Sequence, residues 1–373
     1  MIYLDSAATS LQKPRAVPAA VERAITMMAS PGRGCHVPAM RAADTVLNCR
    51  ELLASYFNVP EPEQVVFTFN ATHALNIAIS SLVAPGDRVV ISGYEHNSVT
   101  RPLYERGADV VVARSPLFDP DAAVEAFRMA LPGAKCAVCT HVSNVFGFIL
   151  PIEKIAALCR EAGVPLIIDA SQSAGTLPLD FSALGAAFIA MPGHKGLLGP
   201  QGTGVLLCAS PGEPILCGGT GSNSAMSGMP DFLPDRLEAG THNVAGIAGL
   251  YEGVKFLSTR PKGAILAHEQ ALLAAFAERA AQFPGVRLFY DGGKGSQSGV
   301  LSLYSTRMDS DLIAEKLGSA GVCVRAGLHC APTAHETVGT LEQGTVRFSF
   351  SPFNTALEIR RAATLLKKVL TEL

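Results

Sequence analysis

Several side chains suited to group-transfer chemistry recur at similar places in the sequence, each just after a short apolar run. Asn70-Ala71-Thr72-His73 follows VVFTF, and Gly93-Tyr94-Glu95-His96-Asn97 follows RVVIS. Ser143-Asn144 follows CAVCTHV, Asp169-Ala170-Ser171-Gln172 follows PLII, and Pro192-Gly193-His194-Lys195 follows AFIAM. A lysine amine can form a Schiff base, a carboxylate can hold a proton on a ring nitrogen, and a hydroxyl beside free amides at a helix start suits a phosphate. Singly, each residue has a plainer explanation. Asp169 would cap a helix, Lys195 would be a solvated lysine, His96 a loop histidine and Asn144 a turn former. Only elements that bring the five clusters together would make them one site.

The surrounding pattern predicts such elements. Between about residues 64 and 210 apolar runs alternate with amphipathic stretches. Strands are predicted at Val65–Thr68, Arg88–Ser92, Asp109–Ala113, Ala137–His141, Leu166–Asp169, Ala187–Met191 and Gly204–Cys208, with helices at Thr72–Leu82, Asp121–Ala130 and Ile152–Ala162. That alternation implies an α/β fold with a mostly parallel sheet covered on both faces. The ends of its strands share one edge, where open α/β sheets bind ligands. Helices at Ala16–Ala29 and Ala39–Phe57 precede this block. After Gly249 come further helices, strands at Val300–Tyr304, Val322–Arg325 and Val346–Ser349, and helices at Ser310–Ser319 and Thr355–Leu370, a smaller α+β unit.

Composition excludes other classes. In 373 residues, 48% are hydrophobic and 17% charged, so the chain has ample apolar side chain for a core and is not disordered. A net charge of −2 gives no electrostatic footprint for nucleic acid or an anionic membrane. No apolar run reaches the roughly 18 residues of a spanning helix, and MIYLDSAATS has no signal-peptide pattern, so a cytoplasmic location is expected. Nine cysteines, an odd number without a secretory signal, argue for free thiols. Cys136 and Cys139 form a CxxC inside an apolar run with no second pair, which reads as strand core; no metal site is expected.

Together the polar clusters supply what pyridoxal 5'-phosphate requires. Lys195 offers the amine, Asp169 the partner for the pyridine nitrogen, and Thr72 with adjacent N–H groups a phosphate cradle. His96 would stack on the ring and Gln172 would bond its phenolic oxygen. The rival for such a sheet is a dinucleotide, but no GxGxxG follows the early strands, and the glycines at 218–221 fall after the last one. Cys330 is a candidate nucleophile. Arg325 and His329 lie within five residues of it, and cationic neighbours favour a thiolate. Cys35 is the only other thiol of note.

The sequence closely resembles the cysteine desulfurase and selenocysteine lyase group of class V aminotransferase-like enzymes, which have the aspartate-aminotransferase type fold. The resemblance rests on YLDSAAT (3–9), EHNS (95–98), HVSNVFG (141–147), IIDASQSAG (167–175), GHKGLLGPQGTG (193–204), LEAGTHNVAGIAGL (237–250), VRAGLHCAP (324–332) and VRFSFSPFNT (346–355). It implies a large cofactor-binding domain over residues 15–250 with a mostly parallel seven-stranded sheet, and a small α+β domain from 1–14 and 251–373 carrying the Cys330 loop and Arg347. By the resemblance Lys195 carries the cofactor, His194 contacts the phosphate with Thr72 and Ala71, Asp169 meets the pyridine nitrogen, and Gln172 the phenolic oxygen. His96 would stack on the ring. Thr241 would reach the cofactor of the other subunit of a homodimer. Asn144 and Arg347 would hold the substrate carboxylate, with Arg33 and Arg325 lining the substrate site.

The activity implied is conversion of L-cysteine to L-alanine, leaving a persulfide on Cys330 that passes to a protein sulfur acceptor. The same scaffold also serves selenocysteine lyases and cysteine or cystine β-lyases. Four positions depart from the common pattern: Ala71 and His73 where Thr and Glu are usual, Pro192 in place of a serine, and His242 in place of a proline.

Overall fold

The structure, a computed structural model, describes residues 1–32 and 34–371. A short β1 (Ile2–Tyr3) precedes helices α1 (Ala16–Met27) and α2 (Val37–Phe57). Strands and helices then alternate: β2 (Val65–Thr68), α3 (Ala71–Leu82), β3 (Arg88–Ser92), α4 (Asn97–Glu105), β4 (Asp109–Ala113) and α5 (Pro120–Ala130). β5 (Cys136–Thr140), α6 (Ile152–Glu161), β6 (Leu166–Asp169), α7 (Phe181–Leu184), β7 (Phe188–Pro192) and β8 (Gly204–Cys208) complete the series.

These strands form one seven-stranded sheet in the order β2-β8-β7-β6-β5-β3-β4. β8 runs antiparallel to both its neighbours, and the other six strands point the same way. The segments after β2, β3, β5, β6 and β7 therefore all emerge at one edge, as the sequence predicts. β5, β6 and β7 are buried at every position, which is why they read as unbroken apolar runs rather than alternating ones. Side chains still divide between the two faces. Val65, Phe67 and Val90 pack with Phe57 and Phe127 on one side, while Val66, Val89 and Ile91 meet Leu75, Ile79 and Leu103 on the other.

Past the sheet come α8 (Val244–Ser258), α9 (Ala264–Ala280), β9 (Val286–Phe289), β10 (Val300–Ser305) and α10 (Ser310–Ser319). β11 (Val322–Cys323), β12 (Arg325–Gly327), α11 (Pro332–Val338), β13 (Thr345–Ser349) and α12 (Ala356–Thr371) follow. β12-β13-β10-β9 make an antiparallel sheet, and β1 pairs with β11 in parallel. A second core joins Leu4 of the N-terminal segment to Phe276, Leu301, Phe348, Ile359 and Leu366. Residue 250 falls inside α8, whose Ile247, Leu250, Val254 and Leu257 pack into the large-sheet core. The expected strand over 322–325 divides at Val324 into β11 and β12, which pair with different partners.

Among the described residues no helix is long and apolar enough to cross a membrane, no cluster of three His, Cys, Asp or Glu could hold a metal ion, and none of the nine cysteines is in a disulfide. Cys136 and Cys139 are fully buried in β5, so that CxxC is strand core.

Candidate active site

Strand ends deliver most of the expected residues to one cavity of about 100 Å³, lined by Ala71, Thr72, His96, Asn144, Asp169, Gln172, His194 and Lys195. Asn70 caps α3, its side chain accepting from His73 N at 2.9 Å. That leaves the N–H groups of Ala71 and Thr72 without intrahelical partners, free for an anion at the positive end of the helix. β6 ends on Asp169, which is buried; its Oδ1 accepts from Ser171 N at 2.9 Å and its Oδ2 has no hydrogen bond among the described residues. Gln172 donates to the Ala7 carbonyl at 2.9 Å, tying the N-terminal segment to the site. His194 Nδ1 lies 3.0 Å from Thr9 Oγ1.

Electrostatics follows from the burial of these groups. Desolvation lowers the Lys195 ammonium to about 8, against the opposing pull of the Asp169 carboxylate; Arg347 and Arg325 add to the lowering. Its amine is thus available closer to neutral pH than an ordinary lysine's. His96 is lowered to about 4 by burial, with Asp169 opposing, and His194 also to about 4. Both rings are neutral at pH 7.

Other expected residues stand outside that cavity. Cys330 is exposed and opens onto an adjoining cleft of about 540 Å³, which shares Thr72, His96 and Ser98 with it. The backbone beneath Cys330 is unusual: φ is +50° at His329 and +57° at Cys330, both left-handed without glycine. It is pinned from the large sheet, since Asn97 N donates to the Cys330 carbonyl at 2.7 Å and Asn144 Nδ2 to the His329 carbonyl at 2.7 Å. His329, expected beside the thiol as a cation, is instead buried and pushed down to about 2 by desolvation and then by Arg347. It lends the thiol no positive charge.

Arg347 is buried in β13 and donates to Asp5 Oδ1 at 2.9 Å and to the Asn144 carbonyl at 3.0 Å. Its Nε has no partner, and neither has the buried Asn144 Oδ1. Arg325 is exposed and sits opposite Arg347 in the β12–β13 ladder. Thr241 is exposed in a separate pocket with Phe69 and His73, away from Lys195. Arg33 lies outside the described residues.

Sequence reasoning missed four polar groups. Glu95 is fully buried, accepts from Ser92 Oγ at 2.5 Å and Thr140 N at 2.7 Å, and is raised to about 8, chiefly by burial. It ties β3 to β5 directly beneath the site. Ser98 lies 2.8 Å from His96 Nδ1 and 2.9 Å from Thr72 Oγ1; its signal was the serine two residues after a helix-capping histidine. Asp5 occupies Arg347. Glu238 forms a buried two-pronged pair with Arg50 at 2.9 and 2.8 Å and lies 2.6 Å from His242. That contact gives the His242 departure a physical reason, because a proline there could not reach Glu238. Pro192 is paired opposite Gly204 at the last position of β7, beyond the Asp169–Ala190 pair that ends the β6 ladder, so no strand partner loses an N–H there. His73 stacks on Phe69 with ring centroids 4.6 Å apart.

The aminotransferase class-V family model matches residues 2–362. The chain belongs to that family. A probable cysteine desulfurase of Methanothermobacter thermautotrophicus is 33% identical over 99% of this chain and 94% of its own length. One from Vibrio cholerae is 31% identical over 99% and 93%. Among solved structures, the apo cysteine desulfurase of Thermococcus onnurineus superposes with a TM-score of 0.92 at 28% identity, covering 100% of this chain and 95% of that one. Escherichia coli CsdA, also a cysteine desulfurase, gives 0.87 at 28% identity, covering 99% and 94%. The family match spans the strand-end segments, β13 and the Cys330 loop alike.

Proposed function

We propose that the chain is a pyridoxal 5'-phosphate-dependent cysteine desulfurase that converts L-cysteine to L-alanine. One observation carries the reading: Lys195, Asp169 and the unpaired amides of α3 share a cavity, and Cys330 stands in the cleft that opens from it. The groups present fit the cofactor. An amine of lowered basicity, a carboxylate with one free oxygen, and free N–H groups beside a hydroxyl match its aldehyde, ring nitrogen and phosphate in turn.

When bound, pyridoxal phosphate supplies an electron sink for a carbanion at the substrate Cα. Lys195 Nζ would anchor the cofactor and, as an amine of lowered basicity, would take the substrate Cα proton. Asp169 would keep a proton on the ring nitrogen, its carboxylate fixed by the Ser171 N–H. His96 would cover the ring face as a neutral imidazole, Gln172 would meet the phenolic oxygen, and His194, Ala71 and Thr72 would hold the phosphate. The unpartnered Nε of Arg347 and the adjacent Asn144 would receive the substrate carboxylate, with the exposed Arg325 opposite Arg347; Arg33 is a further substrate contact implied by the resemblance alone. Cys330 as thiolate attacks the substrate sulfur: an S–S bond forms, the Cβ–S bond breaks, and its electron pair stays on carbon, which is then protonated. L-cysteine and the Cys330 thiol thus become L-alanine and a Cys330 persulfide. A protein sulfur acceptor takes the outer sulfur.

The reading includes a homodimer in which Thr241 reaches the partner's cofactor, a cytoplasmic location, and a small domain (1–14 and 251–373) that carries Cys330 and Arg347 against the cofactor domain (15–250). A β-lyase would release sulfide without Cys330; the cleft contiguous with the cavity favours the desulfurase. The test is alanine and pyruvate release from L-cysteine with dithiothreitol present, wild type beside Cys330→Ala. Loss of alanine formation with retained cofactor absorbance is expected, and pyruvate with sulfide formed at an undiminished rate would make the enzyme a β-lyase.

A further inference from the structure

Ser98 lies outside every role assigned so far, yet it is buried, lines both the cavity and the cleft, and touches two residues of the site. Its backbone N–H points at His96 Nδ1 at 3.0 Å, and its hydroxyl lies 2.8 Å from the same nitrogen. A backbone N–H can only donate, so Nδ1 must offer its lone pair and the ring proton must sit on Nε2. That settles the direction of the rest. With no hydrogen on Nδ1, the Ser98 hydroxyl donates to it. The Ser98 oxygen, its own proton committed, then accepts from the Thr72 hydroxyl 2.9 Å away. The chain runs one way, from Thr72 through Ser98 to His96.

We propose that Ser98 is a positioning residue that locks His96 as the Nε2–H tautomer and couples it to occupancy of the α3 N-terminus at Thr72. An anion there competes for the Thr72 proton, because a phosphate oxygen is a stronger acceptor than a serine hydroxyl. Once Thr72 turns to the anion, Ser98 loses its donor, and its own bond to Nδ1 changes with it, since linked hydrogen bonds polarise one another. His96 thereby senses whether the phosphate site is filled. The relevance of that anion to catalysis rests on the cofactor assignment above; the hydrogen-bond chain itself does not.

The test uses nitrogen-15 histidine spectra of the full-length protein without cofactor, with His96→Gln identifying the His96 signals. Wild type is expected to show Nδ1 unprotonated and Nε2 protonated. Thr72→Val should shift the Nδ1 resonance in the wild-type background and leave it still in Ser98→Ala, the pattern of a two-bond relay in a double-mutant cycle. Adding inorganic phosphate should shift it likewise only when Ser98 is present, and Ser98→Thr should restore the response. A protonated Nδ1 in wild type, or the same Thr72→Val shift with and without the Ser98 hydroxyl, would overturn the proposal. Failure of pyridoxal phosphate to bind would instead refute the cofactor reading, with the histidine spectra still deciding the relay.

Discussion

Asp169 and Lys195 leave adjacent parallel strands whose ladders are complete, whereas Cys330 rests on two consecutive left-handed residues held by donors borrowed from elsewhere. The first arrangement is stiff because a seven-stranded sheet, buried on both faces, dictates where each strand end points. The second holds a conformation that costs about 1–2 kcal/mol per non-glycine residue, offset in part by the grip of Asn97 and Asn144 on its two carbonyls. The contrast suits the division of labour proposed here. A cofactor needs fixed partners, while a thiol that must reach a substrate sulfur and then an acceptor needs to stand clear of the core.

The largest effect that would break this comparison is expected at the stiff end. Lys195→Ala should lower turnover by a thousandfold or more and remove any borohydride-reducible cofactor linkage, read by mass spectrometry; a surviving linkage would place the anchor elsewhere. At the strained end Asn144→Ala releases the His329 carbonyl. It should cut turnover roughly a hundredfold, the scale of an ångström-sized misplacement, and raise the rate of Cys330 alkylation by iodoacetamide in the cofactor-free protein. Unchanged alkylation would mean that the loop holds itself.

Glu95 sharpens the same contrast through stability. Glu95→Ala should cost about 2–3 kcal/mol in urea melts by stranding the Thr140 N–H and the Ser92 hydroxyl, while Glu95→Gln should cost far less at pH 7. The sign with pH follows from its raised pKa. The folded state keeps a proton up to about 8 that the unfolded chain releases near the ordinary carboxylate value, so this group's contribution is complete below the unfolded value and is lost as pH rises through 8. Wild type should therefore lose stability between pH 5 and 9 more steeply than Glu95→Gln, and parallel curves would show that Glu95 is ionised throughout.

Much of the stiff half was legible in the sequence because it follows from periodicity. An apolar run followed by a polar cluster, repeated five times, specifies both a parallel sheet and the edge where its polar groups meet. What did not show has physical reasons. α4 was hidden by Pro102 and a polar composition, although His96 caps it. β9, with an exposed residue and three half-buried ones, has no strong alternation to betray it. The left-handed pair at His329 and Cys330 has no glycine to announce it, and the neutral state of His329 depends on burial by β13, far along the chain. The bonds of Glu238 to Arg50, Asp5 to Arg347 and Ser98 to Thr72 likewise join distant parts of the chain that local pattern does not encode.

The most direct test of the central claim is a single turnover with stoichiometric L-cysteine, followed by mass spectrometry of the peptide containing Cys330. The account predicts one added sulfur on Cys330, removable by a thiol reductant, and an equal amount of L-alanine. Pyruvate formed with free sulfide and an unmodified Cys330 would contradict it.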